Sequence, residues 1–470
     1  MLIFSCGLLS FVEAQEKYWT LEDCITYALE NNIQVQQNEI SQEISEQDFK
    51  ASKYNTLPSL NGSASHTYNF GQTIDPFTNS FATNQVRSNS FSLSSQLTLF
   101  DGFRNLNTIK RNQAQLEVAK FDLQKIKNDI SLNIANAFLQ ILFNQELLKN
   151  TRNQLLVTQL QIDRIDKQVK AGSLPDGALK DIEAQFASEE LQVVNAENQL
   201  SLSKLNLAQF LRLESADGFE IASPNLNSFD GVSQLISPGA LYATALETMP
   251  EIKSAEYAYY SAEKSKQIAR ANYSPTLTLS GSIGSGFSGA NREIVGFENS
   301  RYVTSTDRTV GTQDFIERLT TDIIRKDKSF SDQLDDNLNK SVGFRLNIPI
   351  FNGMSSRTNV QRAKLQLQTA GLNLENAKLQ LRQNIESSHN DAVAALKRYR
   401  AAEKSVSALE TSFNYTQERF KVGLINSFDF NNEKNRLANS QSELLQAKYN
   451  YIFSTKVLDF YQGKAITLSK

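Results

Sequence analysis

The chain has very little cysteine and very little histidine. Its two Cys, Cys6 and Cys24, give neither a disulfide framework nor metal-site spacing. Its two His, His66 and His389, are too few for a histidine-based metal centre. A basic excess is missing too. The formal net charge is −3, and a nucleic-acid surface needs the opposite sign. No nucleophile–base pair is visible, so the expectation is a protein that is not an enzyme, with no catalytic, metal or cofactor-binding residues and no cofactor. Nowhere does the chain hold the roughly 18 uninterrupted apolar residues of a membrane helix. Proline and glycine are scarce and unevenly placed: Asn107 to Lys170 contains neither, so nothing there breaks a helix.

What that stretch does contain is a seven-residue apolar stripe: Ile109, Leu116, Leu123, Ile130. A four-residue step follows, and the stripe resumes at Ile134, Ile141, Leu148, Leu155, Ile162 and Val169. A sustained period of seven is a coiled-coil seam, and the four-residue step is a stutter that locally unwinds it. At the helical rise, the stretch predicts a rod of ~96 Å. The same pattern recurs 251 residues on, at Val360, Leu367, Leu374, Leu381, then Ile385, Ala392, Tyr399, Val406, Phe413 and Phe420. Both rods end on a glycine, Gly172 and Gly423. The chain is an internal duplication.

Before each rod the period changes from seven to two. Leu60, Gly62, Ala64, His66, Tyr68 and Phe70 alternate with polar residues, as do Phe91, Leu93, Leu97 and Leu99. Leu277, Leu279, Ile283 and Phe287 do the same in the second half, followed by Val342, Phe344, Leu346, Ile348 and Ile350. These read as four strands, each long enough to cross a bilayer at a tilt. One apolar face and one Ser/Thr/Asn face suit lipid on one side and a wet lumen on the other. Polar loops are expected to join them, Gly71–Ser90 and the longer Ser288–Lys340; the second half carries 34 more residues in this region. Tyr68, Phe70, Phe91, Phe100, Phe287, Phe344 and Phe351 are candidates for aromatic girdles. Four strands cannot close a barrel, and open edges in lipid leave backbone groups unpaired. The chain is therefore expected to oligomerise, three copies giving about twelve strands.

Further elements follow. Residues 1–14 read as a short export signal ending at Ala14, with Cys6 in a poor context for lipidation and no basic start, so that the true start would lie upstream. Residues 15–213 and 239–463 are the two repeats: helix, β-hairpin, long helix, returning helix. Residues 214–238 are a connector and 464–470 a tail. Gly284-Ser285-Gly286-Phe287-Ser288-Gly289 has the spacing of a dinucleotide fingerprint, but no helix is expected to open at its end, so packing is the preferred reading.

Taken in order, Ala28-Leu29-Glu30-Asn31-Asn32, Leu57-Pro58-Ser59-Leu60, Leu99-Phe100-Asp101-Gly102, Ile350-Phe351-Asn352-Gly353 and the two glycine turns make the chain resemble the TolC family of outer-membrane efflux and secretion channels. The loop Asp75-Pro76-Phe77-Thr78-Asn79 is similar to that of members from Bacteroidetes-type bacteria. The resemblance implies a mainly α protein with a membrane β-barrel. Long coiled-coil helices form a trimeric α-barrel tube in the periplasm, and each chain adds four strands to a twelve-stranded barrel in outer-membrane lipid. It implies a passive export duct: the outer-membrane component of a tripartite efflux or type I secretion system, working with a periplasmic adaptor and an inner-membrane transporter. Adaptor contact is implied at Val422, Gly423 and Leu424, and at Ala171, Gly172 and Ser173, where only the glycine matches. For the pore gate, the family's acidic residue six past each glycine is kept as Asp429 and replaced by Ala178. The Arg and Tyr that hold the best-known member closed are here Ile425 and Phe420, and a second acidic position is Asn432.

Overall fold

The computed structural model describes residues 18–82, 85–224 and 236–468. The expected signal over residues 1–14, residues 225–235 of the connector and the last two residues of the tail lie outside the described residues. In chain order the elements are β1 (Tyr18–Trp19), α1 (Leu21–Asn31), α2 (Ile33–Tyr54), β2 (Ser59–Asn69), β3 (Thr73–Ile74), β4 (Phe81–Ala82), β5 (Val86–Phe100), α3 (Arg104–Lys170) and α4 (Asp176–Leu211). After β6 (Glu220–Ile221) come α5 (Pro238–Thr248), α6 (Pro250–Arg270), β7 (Thr276–Ser288), β8 (Arg292–Arg308), β9 (Phe315–Asp327), α7 (Phe330–Asp336), β10 (Asn339–Asn347), α8 (Ser355–Lys421) and α9 (Ser427–Tyr461). The chain forms two compact units: one of residues 1–47, 113–262 and 366–470, the other of residues 48–112 and 263–365.

The first unit is helical. The expected rods are the helices α3 and α8, each 67 residues long. Every described stripe residue in this unit is buried or half-buried. The stutters explain themselves in the packing. Ile130 and Ile134 of α3 share a core with Cys24, Ala28 and Val35 of the α1–α2 segment. Leu381 and Ile385 of α8 share one with Leu241, Ala245 and Ile252 of the α5–α6 segment. Adding 217 to the first trio gives the second. So where the seam loses register, an extra helix covers it in both halves. Those covering helices differ from the single helices that periodicity suggests. Asn32 and Met249, again 217 apart, both leave the helical region, with ψ of 130° and 128°. Pro250 accounts for Met249, because a residue before proline is pushed to extended backbone. Thr20 and Asp23 close a capping box at the start of α1. Cys24, which follows at once, is completely buried.

The second unit holds an antiparallel four-stranded sheet in the order β10-β7-β5-β2. Its register keeps the predicted alternation in step. Ser63 lies opposite Ser92, Ser94 opposite Ser282, and Ser282 opposite Ser341. Hydroxyl pairs bond across this polar face: Ser63–Ser92 at 2.7 Å and Ser282–Ser341 at 2.8 Å. On the other face Leu93 meets Ile283, and Leu279 meets both Leu97 and Phe344. That face is largely exposed in the single chain. Of the girdle candidates, Phe287 differs from the rest: it is buried, 5.3 Å from the Phe330 ring.

The glycine-rich run is the end of β7 followed by a short turn, and no helix opens there. Gly286 has a packing reason. A Cβ there would lie 2.0 Å from Cζ of Phe77 and 2.6 Å from the Asn89 carbonyl oxygen. The stretch Ser288–Lys340 is a correction to the sequence reading. It is not an irregular polar loop but a two-stranded ribbon, β8–β9, followed by α7. Its alternation is broken by shifts at Ile294/Gly296, Glu298/Arg301 and Thr304/Arg308, which hide the period of two from a sequence scan. Each sheet–rod junction takes two consecutive left-handed residues, Gly102-Phe103 and Gly353-Met354, 251 apart.

Candidate functional site

The candidate residues sit at the two turns that end α3 and α8, both in the helical unit. Each turn is a Schellman closure. Gly172 N–H donates to the Val169 carbonyl at 2.9 Å and Ser173 N–H to Gln168 at 2.9 Å. Gly423 N–H donates to Phe420 at 3.1 Å and Leu424 N–H to Arg419 at 2.9 Å. The glycines need φ of +71° and +78°, which a side chain disfavours. Beyond each glycine the halves diverge. The α4 start has Pro175 with no side-chain cap. The α9 start has Asn426, whose Oδ1 accepts from the Asp429 N–H at 2.8 Å.

Ala171, Gly172, Ser173, Val422, Gly423 and Leu424 are all exposed. The second turn is the more apolar: Val422 and Leu424 are each 70% exposed and Phe428 69%. Of the gate candidates, Asp429 and Asn432 are exposed and Ile425 is half-buried. Phe420 is not free. It stacks on buried Phe430 with ring centroids 4.6 Å apart, and Phe413 approaches the same ring at 5.3 Å. Arg164 of α3 joins the two turns. Its Nη2 donates to the Lys421 carbonyl at 3.1 Å, satisfying an orphan acceptor at the end of α8. Its guanidinium lies 5.9 Å from the Phe420 ring. A groove between the turns is lined by Arg164, Pro175, Asp181, Phe420, Ile425 and Asp429.

Sequence reasoning missed a buried polar cluster a few turns away. Lys434 of α9 is 6% exposed and Glu189 of α4 is 3% exposed. Lys434 Nζ reaches Glu189 Oε1 at 2.8 Å and Oε2 at 3.1 Å, and donates to the Gln154 carbonyl of α3 at 3.0 Å. It also bonds the Thr158 hydroxyl, which itself donates to Glu189 Oε2 at 2.5 Å. Gln185 Nε2 donates to Glu189 Oε1 at 2.8 Å and to Asn435 Oδ1 at 3.1 Å. Three helices are thus tied by one ammonium. Burial pushes the Lys434 pKa down, and Glu189 opposes the shift. The available signal was a charge on an apolar face: Lys434 stands four residues from both Phe430 and Ala438, and Glu189 midway between Ile182 and Ala196.

His66 is an exposed strand residue bonded to Asn89, and His389 a half-buried helix residue. Among the described residues no group of acidic, His or Cys side chains could hold a metal. No helix among them is long and apolar enough to cross a membrane.

The chain belongs to the outer membrane efflux protein family, matched over residues 24–211 and 241–463. It is similar to the outer membrane protein TolC of Escherichia coli K12, 24% identical over 405 residues, 85% of this chain and 73% of that one. It is also similar to the alkaline protease secretion protein AprF of Pseudomonas aeruginosa, 21% identical over 376 residues, 79% and 69% of the two chains. Its fold is that of CusC, with a TM-score of 0.76 at 16% identity over 95% and 92% of the chains. VceC of Vibrio cholerae gives 0.73 at 17%, over 95% and 96%. The protein is an outer-membrane channel of an efflux or secretion system.

Proposed function

We propose that the protein is the passive outer-membrane duct of a tripartite system, a homotrimer energised by an inner-membrane transporter through a periplasmic adaptor. The observation that carries this reading is the four-stranded sheet. Its outer strands, β10 and β2, have unpaired edges, one face is hydroxyl-rich and the other is exposed and apolar. In outer-membrane lipid such edges must be satisfied by other strands. Three copies close about twelve strands into a barrel with a polar lumen. The repeats over 15–213 and 239–463 then supply equivalent helix pairs to a tube, with 214–238 as connector.

In this reading Val422, Gly423 and Leu424 are the main adaptor contact, because they are exposed and apolar, with Ala171, Gly172 and Ser173 as the weaker one. Asp429, Asn432 and Ile425 stand at the pore gate. Phe420 serves it indirectly by fixing α9 through Phe430. The duct has no chemistry of its own. Purification from outer membranes followed by native mass spectrometry and planar-bilayer recording tests the reading. A trimer with discrete conductance steps is expected; a stable, non-conducting monomer would overturn it.

A further inference from the structure

The β8–β9 ribbon has one mainly apolar face, on which the Arg308 guanidinium covers the Phe315 ring at 3.9 Å. Along β9, Phe315, Leu319 and Ile323 alternate onto the same side. The register adds Phe297 opposite Ile323 and Tyr302 opposite Leu319, with Ile294 beside Arg325 on that side. All six apolar residues are exposed, Tyr302 at 71% and Phe297 at 67%. That side also carries Glu317 and Arg325, while the other side carries Glu293, Glu298, Arg301, Arg318, Asp322 and Lys326 together with Val303, Ile316 and Ile324. A lone two-stranded hairpin is marginal in water and needs a further layer against its apolar face.

We infer that this layer is the same ribbon of the neighbouring copies, so that the ribbons pack apolar face to apolar face at the end of the barrel. This rests on the trimeric reading above. Three observations favour a second copy over other occupants. The ribbon is continuous with the strands that join copies. It leaves β7 after Ser288, is closed at its base by Lys328 N–H donating to the Asn291 carbonyl at 3.1 Å, and returns through α7 into the edge strand β10. Its charge is balanced, with six basic and seven acidic residues over 292–327. That offers no basic field for the phosphates of a lipid surface. The area is also right for an assisted contact only. Six half-exposed apolar side chains remove on the order of a few hundred Å² per copy, short of the ~800 Å² per partner of an independent interface. Where the sheet already holds the copies together, the ribbon contact becomes intramolecular and a small area suffices.

Single cysteines on a Cys6→Ser/Cys24→Ser background, treated with a short bismaleimide in native outer membranes and in detergent, test this. Ser341→Cys, on the sheet edge, reports the barrel. Tyr302→Cys and Phe297→Cys report the apolar face, and Arg318→Cys the charged face. The expected result is cross-linked multimers through Tyr302→Cys or Phe297→Cys in both media, several-fold above Arg318→Cys. Multimers by native mass spectrometry, with Ser341→Cys cross-linking but neither apolar-face cysteine exceeding Arg318→Cys, would overturn the ribbon contact and leave the trimer standing. Monomers would overturn the trimer itself. Tyr302→Cys that is shielded from maleimide in membranes, freely labelled in detergent and never cross-linked would assign the face to lipid instead. A Phe297→Asp/Leu319→Asp double variant should still assemble, with the ribbon cut by protease several-fold faster; unchanged cleavage counts against the proposal.

Discussion

The two halves of the chain differ little in the helical unit and greatly between the strands. The rods α3 and α8 are both 67 residues long and hold one offset of 251 from end to end. The strand connections differ by 34 residues, and one of them has become a ribbon with a helix. The reason is physical. One residue inserted in a packed seam rotates everything beyond it by about 100°, given 3.6 residues per turn. An insertion in a connection costs only the slow growth of loop entropy. Most residues differ between the two rods, but length is kept where neighbours read it.

Four pairs of equivalent positions probe how far the likeness of the halves goes. The largest effect is expected at the stutters. Ile134 and Ile385 are both 0% exposed, so Asp at either position buries an unpaired charge, at a cost of several kcal/mol. Ile134→Asp and Ile385→Asp should lower the yield of folded protein to a similar degree, read by extraction and thermal melting. A tolerated change in one half alone would break the likeness where it is strongest.

Next comes a place where the halves part. Lys434 is buried on Glu189, while its counterpart 251 residues earlier, Glu183, forms an exposed pair with Lys180. Lys434→Met leaves Glu189 buried without its cation and should destabilise by about 3–5 kcal/mol. Lys434→Met with Glu189→Leu should recover most of that loss in a denaturant titration. Glu183→Gln should move the midpoint hardly at all. If Lys434→Met is equally silent, the cluster is not the tie between α3, α4 and α9 that its geometry indicates.

A smaller, pH-dependent difference is expected at Glu251, whose counterpart at an offset of 217 is Gln34. Burial pushes the Glu251 carboxyl up, with Asp129 adding to the shift and Lys125 opposing it. A raised pKa means that the folded state takes up the proton first. The cost of the charge is then present at neutral pH and disappears as pH falls through the folded pKa toward the ordinary value. Glu251→Gln should therefore raise the melting temperature at pH 7, and the gain should vanish below about pH 4.5. A gain independent of pH would mean that packing rather than charge separates the two.

The smallest effect concerns selectivity rather than stability. Asp429 stands where the first half has Ala178. Three such carboxylates at a constriction favour cations, and screening shortens to ~3 Å at about 1 M salt. Asp429→Asn should move the reversal potential in a salt gradient toward zero without changing assembly, and Asp176→Asn should do less. An unmoved potential would leave Asp429 as a helix-start residue favoured by the dipole.

Most of the fold was legible because its elements are long and strictly periodic. The stripes over Ile109–Val169 and Val360–Phe420, and the alternation on both sides of the sheet, survive any single exception. Three features were not legible. The break at Asn32 carries no proline, and apolar periodicity runs through it. The β8–β9 ribbon hides behind its register shifts. At the turns, the glycines and their exposed neighbours could be read, but Arg164 and the Lys434 cluster could not: what makes them matter is which helix faces them, and that is a property of packing between segments far apart in sequence.

Cys24 gives the α1–α3 core a chemical deadline. The residue carries a thiol that is completely buried beside Ala28, Ile130 and Ile134, and the chain matures in compartments where thiols oxidise. Until α1 docks, that thiol is open to any disulfide partner, and a mixed disulfide would fill a space that has no room for one. Folding of this core is thus a race against oxidation. The second half, with Leu241 at the matching place, does not have to run it.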